Sequence, residues 1–252
     1  MSSHTVNTVS GEIDVRDLGV TLMHEHLLIG YPGWEADTLH PGPSREDIVA
    51  VCVDKIQSMQ DQGIRSMLDP CPNDLGRDVE LAAEVSARTG FNIICATGLY
   101  KEDEGGASYW HFTRSLGRGV EAMSELFIHE LTVGIGDTGI KAGIIKVATG
   151  EGEITPYEYE VLEAAAVAAV ETGAPITTHT DQGTMGEEQQ AFLVEHGVLP
   201  RKIIIGHSCG SDDHAYHTRI LDQGSYLGFD RFGLDILVPD EQRIQSLLAL
   251  LQ

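Results

Sequence analysis

The sequence is short of positive charge: 16 Lys and Arg stand against 39 Asp and Glu in 252 residues, a formal net charge of −23. So acidic a chain has no basic footprint for a phosphate backbone, which argues against nucleic acid as a partner. The same charge disfavours anionic membrane surfaces. No apolar run reaches the ~18 residues that a membrane-spanning helix needs. The first ten residues are polar and lack the apolar centre of a secretory leader. Cysteine is scarce: Cys52, Cys71, Cys95 and Cys209 are widely spaced with no CxxC pair. That pattern is neither a disulfide framework nor a zinc ribbon. The expectation is a soluble cytoplasmic protein that binds neither nucleic acid nor membrane.

What is present is a rhythm of short apolar runs separated by longer amphipathic stretches. The apolar runs are Gly19–His26, Ile64–Asp69, Phe91–Gly98, Gly143–Ala148, Pro175–Thr180, Lys202–His207 and Ser225–Phe229. They are short and rich in Ile, Val, Thr and Leu, as buried parallel strands are. The intervening helices carry start and stop signals. Ser44 stands before Ile48–Gln62, which Gly63 ends; Asp78–Arg88 ends at Gly90; Thr155-Pro156 opens Tyr157–Glu171, closed by Gly173. Lys101 to Lys141 is expected to hold helices and an active-site loop. Strand–helix units in this order imply a parallel sheet with right-handed crossovers. An open doubly wound sheet would carry a glycine-rich phosphate turn after its first strand, but the chain reads His24-Glu25-His26-Leu27 there. The fold class expected is therefore α/β, a (β/α)₈ TIM-type barrel in a single domain over residues 1–252. Only seven strands are readable. With strand eight and its helix absent, a truncated C-terminus is expected, as is an open seam between two unpaired edges.

Histidine carries the functional signal. His24 and His26 lie at i and i+2 of a strand, so their side chains share a face. His179 closes the fifth strand and His207 the sixth, and strand C-termini are where a barrel collects its chemistry. Four imidazoles at one barrel mouth suit zinc, cobalt, iron or nickel. The other histidines (His4, His40, His111, His129, His196, His214 and His217) fall in loops or helices and read as ordinary. Lys146 interrupts the apolar run Gly143–Ala148, where a bare ammonium is costly. Burial there lowers its pKa, and a neutral amine can take up carbon dioxide as a carbamate. A Schiff-base lysine, or a salt bridge to Asp69 or Asp181, explains the same position.

With these residues go the stretches GVTLMHEHL (19–27), Gly98-Leu99-Tyr100, GIIKVATG (143–150), GHSC (206–209) and GFDRFGLD (228–235). In order and spacing the chain resembles the phosphotriesterase family of the amidohydrolase superfamily, and within it the phosphotriesterase-like, quorum-quenching lactonases. The resemblance implies two divalent metals. These would be zinc, with cobalt, iron, manganese or nickel as alternatives. His24 and His26 would hold the more buried metal, His179 and His207 the more exposed one, with N6-carboxylated Lys146 between them. It also implies a metal-bridging hydroxide as nucleophile, acting on a lactone such as an N-acyl homoserine lactone, with promiscuous phosphotriesterase activity. Tyr100 matches a tyrosine lining the lactone site; a plain loop aromatic is its other reading. Arg231 matches an arginine shaping the pocket; a salt bridge to Asp230 or Asp235 is the alternative. Trp110 and Phe112 could wall an acyl chain or simply pack. A homodimer is implied as well.

The family has an aspartate at the end of strand eight. No such segment is readable here, and Asp230 and Asp235, on the strand-seven loop, are not assigned its role. The alternatives kept open are a phosphotriesterase or carboxylesterase of the same fold, a non-catalytic metal-binding barrel fragment, and a Schiff-base aldolase centred on Lys146.

Overall fold

The structure, a computed structural model, describes residues 4–252. It opens with a hairpin of β1 (Thr5–Thr8) and β2 (Gly11–Asp14), paired antiparallel. There follow β3 (Val20–Leu22), α1 (Arg45–Asp61), β4 (Ile64–Asp69), α2 (Val79–Thr89), β5 (Asn92–Gly98), α3 (Ala107–Ser115) and α4 (Gly119–Thr132). The second half holds β6 (Ile144–Thr149), α5 (Pro156–Thr172), β7 (Ile176–Thr180), α6 (Gly186–Glu195), β8 (Ile203–Ile205), α7 (His214–Asp222), β9 (Tyr226–Leu227) and α8 (Asp240–Leu250). Strands β3 to β9 form one parallel sheet in chain order, each paired with the next. That order is the one a barrel requires. The edges β3 and β9 face each other across a cavity of about 650 Å³, lined among others by Leu22, Met23, Ile204, Tyr226, Leu227 and Phe229. The sheet is thus a curled barrel of seven strands with an open seam.

The helix boundaries follow from their caps. Ser44 accepts the Asp47 N–H at the start of α1. Thr155 and Glu158 form a reciprocal capping box on α5, whose first turn holds Pro156. Gly90 and Gly173 end α2 and α5 in the left-handed conformation. No helix among the described residues is long and apolar enough to cross a membrane.

Alternation along β6 decides what faces inward. Ile145 and Val147 pack outward into the main core, with Val161, Leu162 and Ala165 of α5. Ile144 belongs to an inner cluster with Leu68, Ile94 and Ala96. Ala148 belongs to another with Cys71, Leu75 and Tyr100. Lys146, between Ile144 and Ala148 on the same face, therefore points into the barrel interior. Val6 of β1 packs on the lower cluster, and Asn7 Nδ2 donates to the carbonyls of Leu131 and Ala142. The hairpin, only a lead-in as far as the sequence could be read, closes the barrel floor.

Candidate metal centre at the barrel mouth

Above that floor His24, His26, Lys146, His179 and His207 meet at one cavity of about 380 Å³. All four sequence-predicted histidines and the lysine are brought together. Ring centroids lie 5.6 Å apart for His24–His26, 4.3 Å for His24–His207 and 4.6 Å for His179–His207. The strands are shorter than their apolar runs. β3 stops at Leu22 and β8 at Ile205, so His24, His26 and His207 stand just past the strand ends. His207 has φ +57°, a strained conformation for a non-glycine residue, of the kind that gathers at functional sites. Gly206 permits this close approach: a Cβ there would lie 2.1 Å from the Thr178 carbonyl oxygen and 3.2 Å from the His24 ring.

Three carboxylates set the faces of the rings. Asp69 Oδ1 lies 3.0 Å from His26 Nδ1, while the Leu27 and Cys71 N–H groups donate to the same carboxylate. Asp230 Oδ1 lies 2.8 Å from His207 Nδ1 and also accepts the His207 backbone N–H. Asp181 Oδ1 lies 2.6 Å from His179 Nε2. A carboxylate can only accept, so each of these nitrogens carries the proton and leaves a lone pair on the other ring nitrogen. This is the arrangement by which outer carboxylates orient metal-binding imidazoles.

Electrostatics agree with neutral rings. Burial pushes His24 and His207 down to about 3 and lowers His179 strongly, so all three are uncharged near neutrality. Burial opposes the charge on Asp230, but the hydrogen bond from the His207 ring, with the His24 ring alongside, outweighs it and holds the carboxyl well below its usual range.

Lys146 is 2 % exposed. Its Nζ lies 2.9 Å from His24 Nε2 and donates to the Thr178 carbonyl at 3.3 Å. Among the described residues no carboxylate pairs with it, which removes the salt bridge to Asp69 or Asp181. Burial brings its pKa down to about 7, so a sizeable neutral fraction exists at physiological pH.

These residues fit divalent cations. One donor atom each of His24, His207 and Asp230 lies within 4.8 Å of the others, so one member of each expected histidine pair stands beside the same carboxylate. His24 Nδ1 is buried without a hydrogen-bond partner, although Asp230 Oδ2 is 3.1 Å away. Neutral imidazoles and a deprotonated carboxylate are the forms that bind metal. A second group, His26, Asp69 and Cys71, is equally compact. Its Asp69 is already engaged by backbone N–H groups, and its Cys71 thiol donates to the Leu75 carbonyl and is pushed up by burial. That group supports His26 from behind.

The remaining candidates separate. Tyr100 is buried with its hydroxyl 3.4 Å from both ring nitrogens of His179. Arg231 lines the same cavity, and among the described residues it has no ion pair with Asp230 or Asp235. Trp110, 8 % exposed, belongs to the main core and Phe112 is 62 % exposed; neither lines this cavity. Sequence does not assign Asp230 to the site; the available signal is its place just past the apolar run Ser225–Phe229, one residue before Arg231. Asp181, two residues past His179, reads from sequence only as a partner for Lys146.

A curled parallel barrel with neutral imidazoles and a lysine at its C-terminal mouth defines a metal-dependent hydrolase. The chain belongs to the phosphotriesterase family, which it matches over residues 4–252. It is 39% identical over 245 residues to a phosphotriesterase homology protein of Mycobacterium tuberculosis, covering 95% of this chain and 74% of the relative. An aryldialkylphosphatase of Saccharolobus solfataricus is 35% identical over 241 residues, with the same coverage. Among solved structures, an organophosphorus hydrolase from Deinococcus radiodurans superposes with a TM-score of 0.95 at 40% identity, over 100% of this chain and 77% of that one. A mutant PTE-like lactonase from the same organism gives a TM-score of 0.95 at 40% identity, over 98% and 78%.

Proposed function

We propose that the protein hydrolyses lactones, N-acyl homoserine lactones among them, and cleaves phosphotriesters more slowly. The carrying observation is the Tyr100 hydroxyl 3.4 Å from the His179 ring, in a cavity that also holds Arg231 and the apolar Ile29, Leu75 and Phe232. Such a pocket combines a polar reaction point with an apolar wall for an acyl chain. The PTE-like lactonase of Deinococcus supports the reading by analogy.

His24 and His26 would hold one divalent cation, His179 and His207 a second, with N6-carboxylated Lys146 between them and zinc the first candidate. When bound, the cations acidify water and polarise the substrate carbonyl. Carboxylation forms a bond from the neutral Lys146 Nζ to the carbon of CO₂ with release of one proton, and a pKa of about 7 supplies the neutral amine. In lactone opening, water adds to the acyl carbon, the ring C–O bond breaks and the ring oxygen takes up a proton. Burial first, then Asp181, raises the Tyr100 pKa far above its usual value. The hydroxyl therefore stays protonated and can donate to that oxygen. Arg231 offers a fixed positive charge at the rim.

Steady-state assays on paired lactone and phosphotriester substrates, with and without chelator, test the proposal. Lactone turnover that chelator abolishes and zinc restores is expected. Chelator-insensitive turnover, or none with zinc loaded, would refute it. Phosphotriester cleavage as the main reaction is the second reading, favoured by the aryldialkylphosphatase relative. It predicts the opposite ranking of kcat/KM.

A further inference from the structure

The loop that follows β5 places a lysine directly after Tyr100. Lys101 is buried, its side chain 6 % exposed. Its Nζ lies 2.6 Å from Asp181 Oδ2 and 3.2 Å from Glu104 Oε1, with Asp103 at 3.6 Å. Burial works against the ammonium, but Asp181 and Glu104 outweigh it and hold its pKa above the ordinary lysine range. The other oxygen of Asp181 is the one 2.6 Å from His179 Nε2. Lys101 does not line the site cavity. A single carboxylate thus has a buried ammonium on one oxygen and a candidate ligand ring on the other.

We propose that Lys101 is a positioning residue for the metal centre, acting through Asp181 to fix the ring of His179. The inference rests on the metal-hydrolase reading of the same site. Asp181 could be satisfied by His179 alone only with its second oxygen half-buried and uncompensated. Lys101 occupies that oxygen and so stops the carboxylate rotating about its own bond. Fixing the carboxylate fixes which ring nitrogen of His179 carries hydrogen, leaving Nδ1 with the lone pair. Because Lys101 adjoins Tyr100, the same contact ties the Tyr100 loop to the end of β7. The Tyr100 and His179 rings meet edge-on at 5.0 Å. Their spacing is thereby set by an ion pair that neither ring makes itself.

The test is zinc competition against a chromophoric chelator, with no substrate present, on the whole chain and its variants. Lys101→Met should weaken the more loosely held zinc by about tenfold to a hundredfold, the range for loss of an outer support. Lys101→Arg, which keeps the charge, should recover most of it. Asp181→Asn should weaken zinc comparably, and the Lys101→Met/Asp181→Asn double variant should be no weaker than Asp181→Asn alone. Wild-type affinity in Lys101→Met overturns the proposal, as do multiplying effects in the double variant. Should Lys101→Met alone fail to fold, Asp181→Asn and the double variant, in which both charges leave together, still decide it. Wild-type protein that takes up no zinc overturns the metal reading and this inference together. Wild-type protein that binds zinc but opens no lactone refutes only the lactone reading.

Discussion

Gly98 lies against the backbone of Lys146 so closely that a Cβ at Gly98 would sit 1.8 Å from the Lys146 carbonyl oxygen. Gly98 also has φ +126°, a region that side chains other than glycine rarely adopt, and the next N–H, that of Leu99, donates to the same carbonyl. The lysine is thus placed in the barrel by a glycine on the neighbouring strand. Gly98→Ala should cost at least about 2 kcal/mol of stability, from strain plus overlap. Urea unfolding measures the loss, and zinc uptake should fall with it because the overlap falls on the backbone of Lys146. An unchanged unfolding midpoint would contradict this account.

Asp230 accepts from both the ring and the backbone of His207 and lies against His24. Asp230→Asn keeps the shape but removes the charge and can present an N–H where an acceptor is needed. Zinc affinity should drop by about tenfold to a hundredfold, the effect typical of outer carboxylates. Titration against a chelator reads it directly. If Asp230 only caps the strand, the asparagine variant will bind zinc as the parent does.

The chelated protein should lose stability on acidification from about pH 6.5 downward. His24 and His207 resist protonation until about pH 3 when folded, whereas an unfolded histidine takes its proton near about 6.5. Between those limits the unfolded chain binds more protons, so stability rises with pH and falls on acidification. Each ring contributes about 1.4 kcal/mol per pH unit in that window. Lys146 extends the trend upward, since its folded pKa of about 7 lies below the unfolded value near 10.5. Urea midpoints that stay level between about pH 6.5 and about pH 4 would rule out buried neutral rings.

Tyr100→Phe removes one hydroxyl and keeps the ring packed among Cys71, Leu75 and Ala148. If that hydroxyl serves the leaving oxygen of a lactone, kcat should fall about tenfold with little change in KM. A phosphotriester with an acidic phenol leaving group needs no such donor, and its turnover should be nearly unaffected. Equal losses on both substrates would place Tyr100 in general support of the site instead.

The fold was legible where a strand is buried on both faces. The apolar run Ile64–Asp69 has the bounds of β4, whose last four residues are buried, and Thr155-Pro156 marks the α5 cap in the sequence itself. Strand ends near the site were overrun: His24, His26 and His207 continue the apolar pattern, but the backbone leaves the ladder before them. Three of the four imidazoles thus reach the site from backbone that has left the ladder, while His179 stays on β7, and a pattern of residue types does not record where the ladder stops. The four histidines and Lys146 were readable because their chemistry is out of place in an apolar run. Asp181, Asp230 and Lys101 were not, since acidic and basic residues in loops are common and only three-dimensional pairing separates a support from a solvated charge. The N-terminal hairpin was hidden for another reason. Its four-residue strands, Thr5–Thr8 and Gly11–Asp14, are half-polar and owe their order to what they cover.

That hairpin has a consequence for the order of assembly. Asn7 is anchored to the carbonyls of Leu131 and Ala142, partners 124 and 135 positions further along the chain. The hairpin also reaches nearer partners: the Val9 N–H donates to the Ile93 carbonyl, and Val6 packs on Leu68, Ile94 and Ala96 of β4 and β5. The Asn7 contacts close a much longer loop, whose ordering must be offset before they contribute. The barrel floor is therefore expected to tighten in two stages, first against β4 and β5 and then, once β6 is in place, around the carbonyl that precedes it.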